Sequence, residues 1–226
     1  PEEIDRRLDM VEELNENIIN REELREYLAP IYDLERLISK ISYRSANPRD
    51  LVAFRQSLSM LPSIKYILTT FEHSHLKQYG EELDDLKDIC NLIQAAIEDE
   101  PPLAMREGGI IREGYNEEID KLRAAKRDGK EWLSELQETE KERTGIKNLR
   151  IKFNKVFGYY LEVTNSYKEL VPEEWTRKQT LANAERYTMP KLKELEDMIL
   201  GAEDKLNNLE YDVFNEVRER IYAEIG

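Results

Sequence analysis

The chain has 226 residues with a formal net charge of −14, enough length for one or two domains with a real core. Charged residues make up 36% and hydrophobic residues 40%, with only 9 Gly and 8 Pro, which argues against β-barrel, collagen-like and linker classes and for long helices. A single Cys precludes an internal disulfide framework and fits a reducing, cytoplasmic setting, and no run approaches 18 consecutive apolar residues, so no membrane span is encoded.

The chain starts at Pro1-Glu2-Glu3-Ile4-Asp5, acidic and without an apolar core, so no signal peptide is read there. It also starts without Met, which gives the expectation of a piece of something larger. Residues 2–40 read as helix, from the three- and four-residue steps Ile4, Leu8, Val11, Leu14, Ile18 and Leu24, Leu28, Ile31, Leu34, Leu37. Pro30 is expected to open a new helix, since proline is tolerated in a first turn. Asn47-Pro48-Arg49-Asp50 reads as a stop and a restart, with Asn47 as N-cap and Pro48 at the first helical position. Leu61-Pro62-Ser63 breaks the chain again, and residues 81–98 form another amphipathic run.

Pro101-Pro102 is a rigid boundary. Residues 105–115 hold three of the glycines and read as a short strand with turns. From Asn116 the helical step resumes through Ile119, Leu122, Trp132, Leu133 and Leu136, a helix roughly 42 Å long if it covers 116–143. At Thr144-Gly145 the period changes. Leu149–Phe153 and Tyr159–Thr164 alternate as strands, joined by a hairpin loop over 154–158, with Arg150 and Lys152 on one face and Leu149, Ile151 and Phe153 on the other. Residues 190–225 return to helix. Leu192, Leu195, Ile199, Ala202, Leu206, Leu209 and Val213 form a coiled-coil seam, best matched by the 116–143 helix run antiparallel.

The charge is unevenly placed. Residues 1–100 carry 12 positive and 22 negative side chains, whereas residues 147–191 carry 9 and 5, a basic segment within an acidic chain. Acidic proteins are repelled by DNA as a whole, so the local excess matters more than the sum. Within it, Arg177-Lys178-Gln179-Thr180-Leu181-Ala182-Asn183-Ala184-Glu185-Arg186-Tyr187 mixes cations with amide, hydroxyl and phenol donors. Those groups contact phosphate oxygens without reading bases; ordinary helix surface is the competing reading.

Catalytic patterns are missing. Neither a G-x-x-x-x-G-K-[ST] loop nor a G-x-S-x-G elbow is written in the chain. His73 and His75 stand two apart and read as solvated surface, Cys90 as a small buried hydrophobe, and Glu81-Glu82 with Asp84-Asp85 as a solvated helix face. The chain is therefore read as a non-enzyme.

Residues 150–210 closely resemble the MutS family of DNA mismatch-repair proteins. The carrying stretches are Phe153-Asn154-Lys155-Val156-Phe157-Gly158-Tyr159-Tyr160-Leu161-Glu162-Val163-Thr164, then Arg177–Leu181 and Asn183–Tyr187. Asn47–Leu51 and Gly108–Asn116 match in the same order, so the resemblance covers essentially the whole chain. It implies core and lever helices over 1–105, a clamp with its outgoing lever helix over 106–189 (its β-rich tip at about 144–189), and a returning lever helix over 190–226. It also implies contact with the backbone of double-stranded DNA, weak in isolation, through Arg177, Lys178, Thr180, Asn183 and Arg186. Ala182 stands where family members often carry Lys.

The family's mismatch-wedging Phe-x-Glu motif belongs to a domain this chain lacks; Phe214-Asn215-Glu216 fits the letters but falls in the returning helix. The family's ATPase domain, with its ATP and Mg, is likewise missing, so no cofactor is expected in this chain. Longer family members form dimers and recruit other mismatch-repair proteins; no membrane partner is implied. The expected fold is mainly α (α+β), a helical core/lever bundle with a long antiparallel helix pair carrying a small inserted β-rich clamp. The rival reading is a structural coiled-coil module that binds a protein partner through its arm.

Overall fold

The computed structural model describes residues 2–71 and 74–225. Nine α-helices and four strands are described: α1 Glu2–Glu16, α2 Ile18–Leu28, α3 Leu34–Ser42, α4 Pro48–Leu58, α5 Leu61–Thr69, α6 His75–Glu82, α7 Lys87–Ala96, α8 Glu117–Thr144, β1 Arg150–Asn154, β2 Gly158–Thr164, β3 Thr176–Thr180, β4 Ala184–Thr188 and α9 Pro190–Ile225. The fold is mainly α with one inserted antiparallel sheet, as expected. Contacts divide it into two compact units, one of residues 1–115 with 210–226 and one of residues 116–209.

The first unit is helical. Its core holds Leu37, Ile41, Leu51, Phe54, Leu58, Ile93 and Ile97, and from the C-terminal part of the chain Phe214, Val217 and Ile221. Asn47 caps α4 as read, in a full capping box: it accepts from the Asp50 N–H, and Asp50 accepts from the Asn47 N–H. The N-terminal run differs from its reading. It breaks at Asn17, whose side chain accepts from the Asn20 N–H and starts α2. Pro30 lies in a turn, and α3 begins only at Leu34, because Asp33 supplies the cap that proline cannot. Residues 81–98 are not one helix either. Asp84 and Asp85 turn their carboxylates onto the N–H groups of Leu86 and Lys87, so this acidic pair caps a loop instead of decorating a helix face.

The expected strand within 105–115 shrinks to a single antiparallel bridge, Ile97↔Ile111, after a short 3-10 turn at Met105–Glu107. Gly108, Gly109 and Gly114 all adopt positive φ, which ends any strand there. The loop is held from inside by the fully buried Glu210 carboxylate, which accepts from the Gly109 N–H at 2.6 Å. His73 lies outside the described residues. Cys90 is half-buried, and burial pushes its thiol above the usual range, away from nucleophile chemistry.

The second unit begins with α8, started by Asn116, which accepts from the N–H groups of Glu118 and Ile119. Gly145 ends it in the left-handed conformation, where glycine carries no Cβ penalty. Within this unit α8 packs antiparallel to α9. Lys126 pairs with Glu203 at 2.7 Å, and a Cβ on Gly129 would stand 2.5 Å from Ile199 Cγ1, so the Ile199 side chain rests on the Gly129 backbone. The antiparallel helix pair is thus present as expected.

The sheet has the order β1-β2-β4-β3, all antiparallel. Leu149, Leu161, Val163, Trp175 and Tyr187 form its core with Leu133 of α8 and Leu192, Leu195 and Ile199 of α9. β3 and β4 were missing from the sequence reading, which weighed helix surface for that stretch. The correction has a physical cause: polar side chains hide the alternation, and only Trp175 and Tyr187 are deeply buried there. No described helix is long and apolar enough to cross a membrane.

Candidate nucleic-acid interface

Two hairpins build the candidate surface. In the first, β1 and β2 pair from Arg150↔Glu162 to Asn154↔Gly158. Asn154 shapes the turn, its side chain accepting from the Val156 N–H at 2.8 Å. Gly158 closes it with φ +73°, and a Cβ there would run into the Glu196 carboxylate of α9. That same carboxylate accepts the Tyr159 N–H.

In the second hairpin, β3 and β4 pair with a register shift between Arg177 and Gln179, which makes Lys178 the extra residue of a bulge. Before the bulge, Arg177 lies opposite Tyr187. After it, Gln179 lies opposite Arg186 and accepts its hydrogen bond at 2.9 Å. Without the extra residue Gln179 would face the other way.

The five predicted contact residues fall into four settings. Arg177 is 61% exposed and donates at 3.4 Å to Glu185, whose carboxylate is mostly buried. Lys178, on the adjoining bulge, is exposed but donates to the Phe157 carbonyl at 3.0 Å. Thr180 and Asn183 are exposed at the β3–β4 turn. The carbonyls of that turn point inward: Asn165 takes Ala182 O through its side chain and Asn183 O through its backbone N–H.

Arg186 stands apart from the other four. Its guanidinium lies 4.4 Å from the Tyr160 ring centroid, 3.5 Å from Glu162, and on Gln179, with its side chain 19% exposed. It serves the sheet face more than the solvent. Glu162 also binds Lys152 at 2.6 Å, and Lys152, ahead of Arg186, holds the Glu162 carboxyl below the usual carboxylate range. On the opposite face, burial first and then Glu185 push the Tyr187 phenol up to about 12.

Four further cations of the basic 147–191 segment, Lys147, Arg150, Lys155 and Lys168, lie outside the predicted contact set and make no ion pair among the described residues. Lys155 was visible as part of the basic 147–191 segment and of the hairpin loop. Its role needed the sheet order, which places both hairpins in one surface. No G-x-x-x-x-G-K-[ST] pattern is written in the chain, and among the described residues no three His, Cys, Asp or Glu are grouped to hold a metal ion.

Residues 114–205, nearly the whole second unit, match the family pattern described as MutS family domain IV. The whole chain is similar to proteins named DNA mismatch repair protein MutS. The one from Lachnoclostridium phytofermentans is 64% identical over 224 residues, which is 99% of this chain and 24% of that protein. Those from Ruminiclostridium cellulolyticum and Caldanaerobacter subterraneus are 53% and 54% identical, again over 99% of this chain and 26% of theirs. The chain thus spans about a quarter of the length of the curated relatives it matches.

Proposed function

Since the chain belongs to the MutS family, we propose that its sheet unit is a non-catalytic clamp that holds the backbone of duplex DNA in mismatch repair without reading sequence. The carrying observation is the row of exposed donors on the β3–β4 hairpin, Arg177, Lys178, Thr180 and Asn183. Such donors suit phosphate oxygens. Lys147, Arg150 and Lys155 add positive charge that no carboxylate of the sheet pairs with. Arg186 supports this surface from within by stacking on Tyr160.

α8 and α9 act as the levers of this reading. α9 is a single helix of 36 residues, roughly 54 Å long. A rod of that kind suits transmission between a clamp and a nucleotide-driven element. The nucleotide chemistry is assigned to sequence outside residues 1–226, and the chain itself is expected not to hydrolyse ATP. Dimerisation and recruitment of other repair proteins belong to the same proposal for the longer protein.

The test is anisotropy of a labelled duplex titrated at rising salt. About four neutralised phosphates give a log K against log salt slope of roughly −3 to −4, equal for matched and mismatched duplexes. Absence of binding at low salt would favour the structural coiled-coil reading.

A further inference from the structure

The tip of the β1–β2 hairpin places apolar side chains in water and then fixes them there. Val156 is 82% exposed, Phe157 38% and Phe153 48%. A loose loop could fold such groups away, but three separate ties hold this one. Asn154 accepts from the Val156 N–H, Lys178 reaches across from β3 to the Phe157 carbonyl, and Glu196 takes the Tyr159 N–H just past the turn. Phe153 is itself braced by Tyr159, with ring centroids 4.9 Å apart. Fixed, exposed apolar groups mark contact surfaces, because the chain gains nothing by holding them in solvent.

The surroundings indicate what they touch. Lys155 lies inside the same turn, Lys178 is tethered to it, and Lys152 and Arg150 stand along β1. An apolar protein partner gains little from that cationic setting, whereas a polyanion with apolar patches between its charges fits it. Duplex DNA has that character, since deoxyribose faces alternate with phosphates along its grooves.

Resting on the clamp reading above, we propose that Val156 and Phe157 form an apolar contact that presses on deoxyribose faces of the duplex while Lys155 meets the flanking phosphate. Lys178 becomes a positioning residue for this tip, acting through the Phe157 carbonyl. The contact adds affinity without adding phosphate contacts, so it contributes nothing to salt dependence.

The experiment compares the 226-residue chain with Val156→Thr, with Val156→Thr/Phe157→Ser, and with Arg177→Glu on one labelled duplex across a salt series. The expected result is a loss of about 5-fold in affinity for the double variant with an unchanged salt slope, and a smaller negative heat-capacity change of binding by calorimetry. Arg177→Glu instead lowers both affinity and slope. Val156→Thr is isosteric and sits in solvent, so it keeps the test free of folding effects. Parent-like affinity of both tip variants overturns the apolar contact and leaves the clamp reading standing. Failure of the parent itself to bind overturns the clamp reading and the tip with it. Tip-dependent binding to phosphatidylserine vesicles, with no tip dependence on DNA, also overturns the proposal.

Discussion

In the helical unit, several arginines are held by the fold. Arg55 and Arg112 both reach Asp99 at 2.8 Å, Arg44 pairs with Glu219 at 2.6 Å, and Arg49 and Arg218 donate to the carbonyls of Pro101 and Ala46. On the sheet, Arg150 and Lys155 have no ion-pair partner among the described residues, and Arg177 has only a long exposed one. The helical unit carries 16 positive and 29 negative side chains, and the sheet unit 18 and 19. The counts of cations are close and ion pairs are found in both units, so the instructive difference lies between individual residues: Arg55 and Arg112 share one carboxylate, whereas Lys155 has none. Arg186 shows that the difference runs within the sheet too, since it is paired like a body arginine although it sits in the basic motif.

Four changes sharpen or break this contrast. The largest effect is expected in the small sheet core. Leu161 is fully buried there, and Leu161→Ala should cost about 3 kcal/mol. Both tryptophans, Trp132 and Trp175, belong to the sheet unit, so tryptophan fluorescence reads its unfolding while far-UV dichroism reads the helices of both units. A shift of the fluorescence midpoint larger than that of the dichroism midpoint is the expected outcome.

Next in size is Arg177→Glu. It should weaken duplex binding about 10-fold at low salt and reduce the salt slope by about 1, with the melting midpoint lowered by a few degrees because Glu185 loses its counter-charge and meets a second carboxylate. Arg186→Met should act on stability alone. Removing the guanidinium leaves Glu162 and Gln179 with fewer partners and uncovers Tyr160, so the sheet loses about 1–2 kcal/mol while the salt slope stays close to the parent's. A slope change without a stability change would show that Arg186 is a phosphate contact after all and would dissolve the distinction drawn above.

The smallest effect is expected from acid. Glu162 is held below the ordinary carboxylate range by Lys152 and Arg186, and Glu185 by the Tyr187 hydroxyl and then Arg177. A carboxylate with a depressed folded pKa stabilises the fold above its unfolded value, and that contribution disappears as pH falls through the folded one. The sheet unit should therefore lose a modest part of its stability on going below the usual carboxylate range. Tyr187 works at the other limit. Its phenol, pushed up to about 12, stabilises the neutral form, and that contribution fades as pH rises from 10 toward 12. Glu162→Gln, followed by fluorescence-monitored melting, should flatten the acid limb and leave the alkaline one.

Much of the fold was legible because periodicity was strong. The α9 seam from Leu192 to Val213 and the alternating 158–164 strand carry their own burial pattern, and Asn47 with Asp50 writes a capping box in four letters. The misses have local causes. Asn17 and Asp33 set helix starts through single side-chain caps, which outweigh apolar spacing and a nearby proline. β3 and β4 were hidden because their alternation is polar on polar and is interrupted by the bulge at Lys178. The candidate site stands out in the sequence as a basic, donor-rich stretch resembling a known family. Which of its cations are spent inside the sheet does not, since Arg186 meets Tyr160 and Glu162 only after β2 and β4 pair.

The central claim, that the sheet holds DNA by its backbone through a few exposed cations, is tested most directly by the salt dependence of duplex binding. Anisotropy of matched and mismatched duplexes from low to physiological salt should give one common slope of roughly −3 to −4, shortened by about 1 in Arg177→Glu. Binding that does not change with salt, or that favours the mismatched duplex, would contradict it.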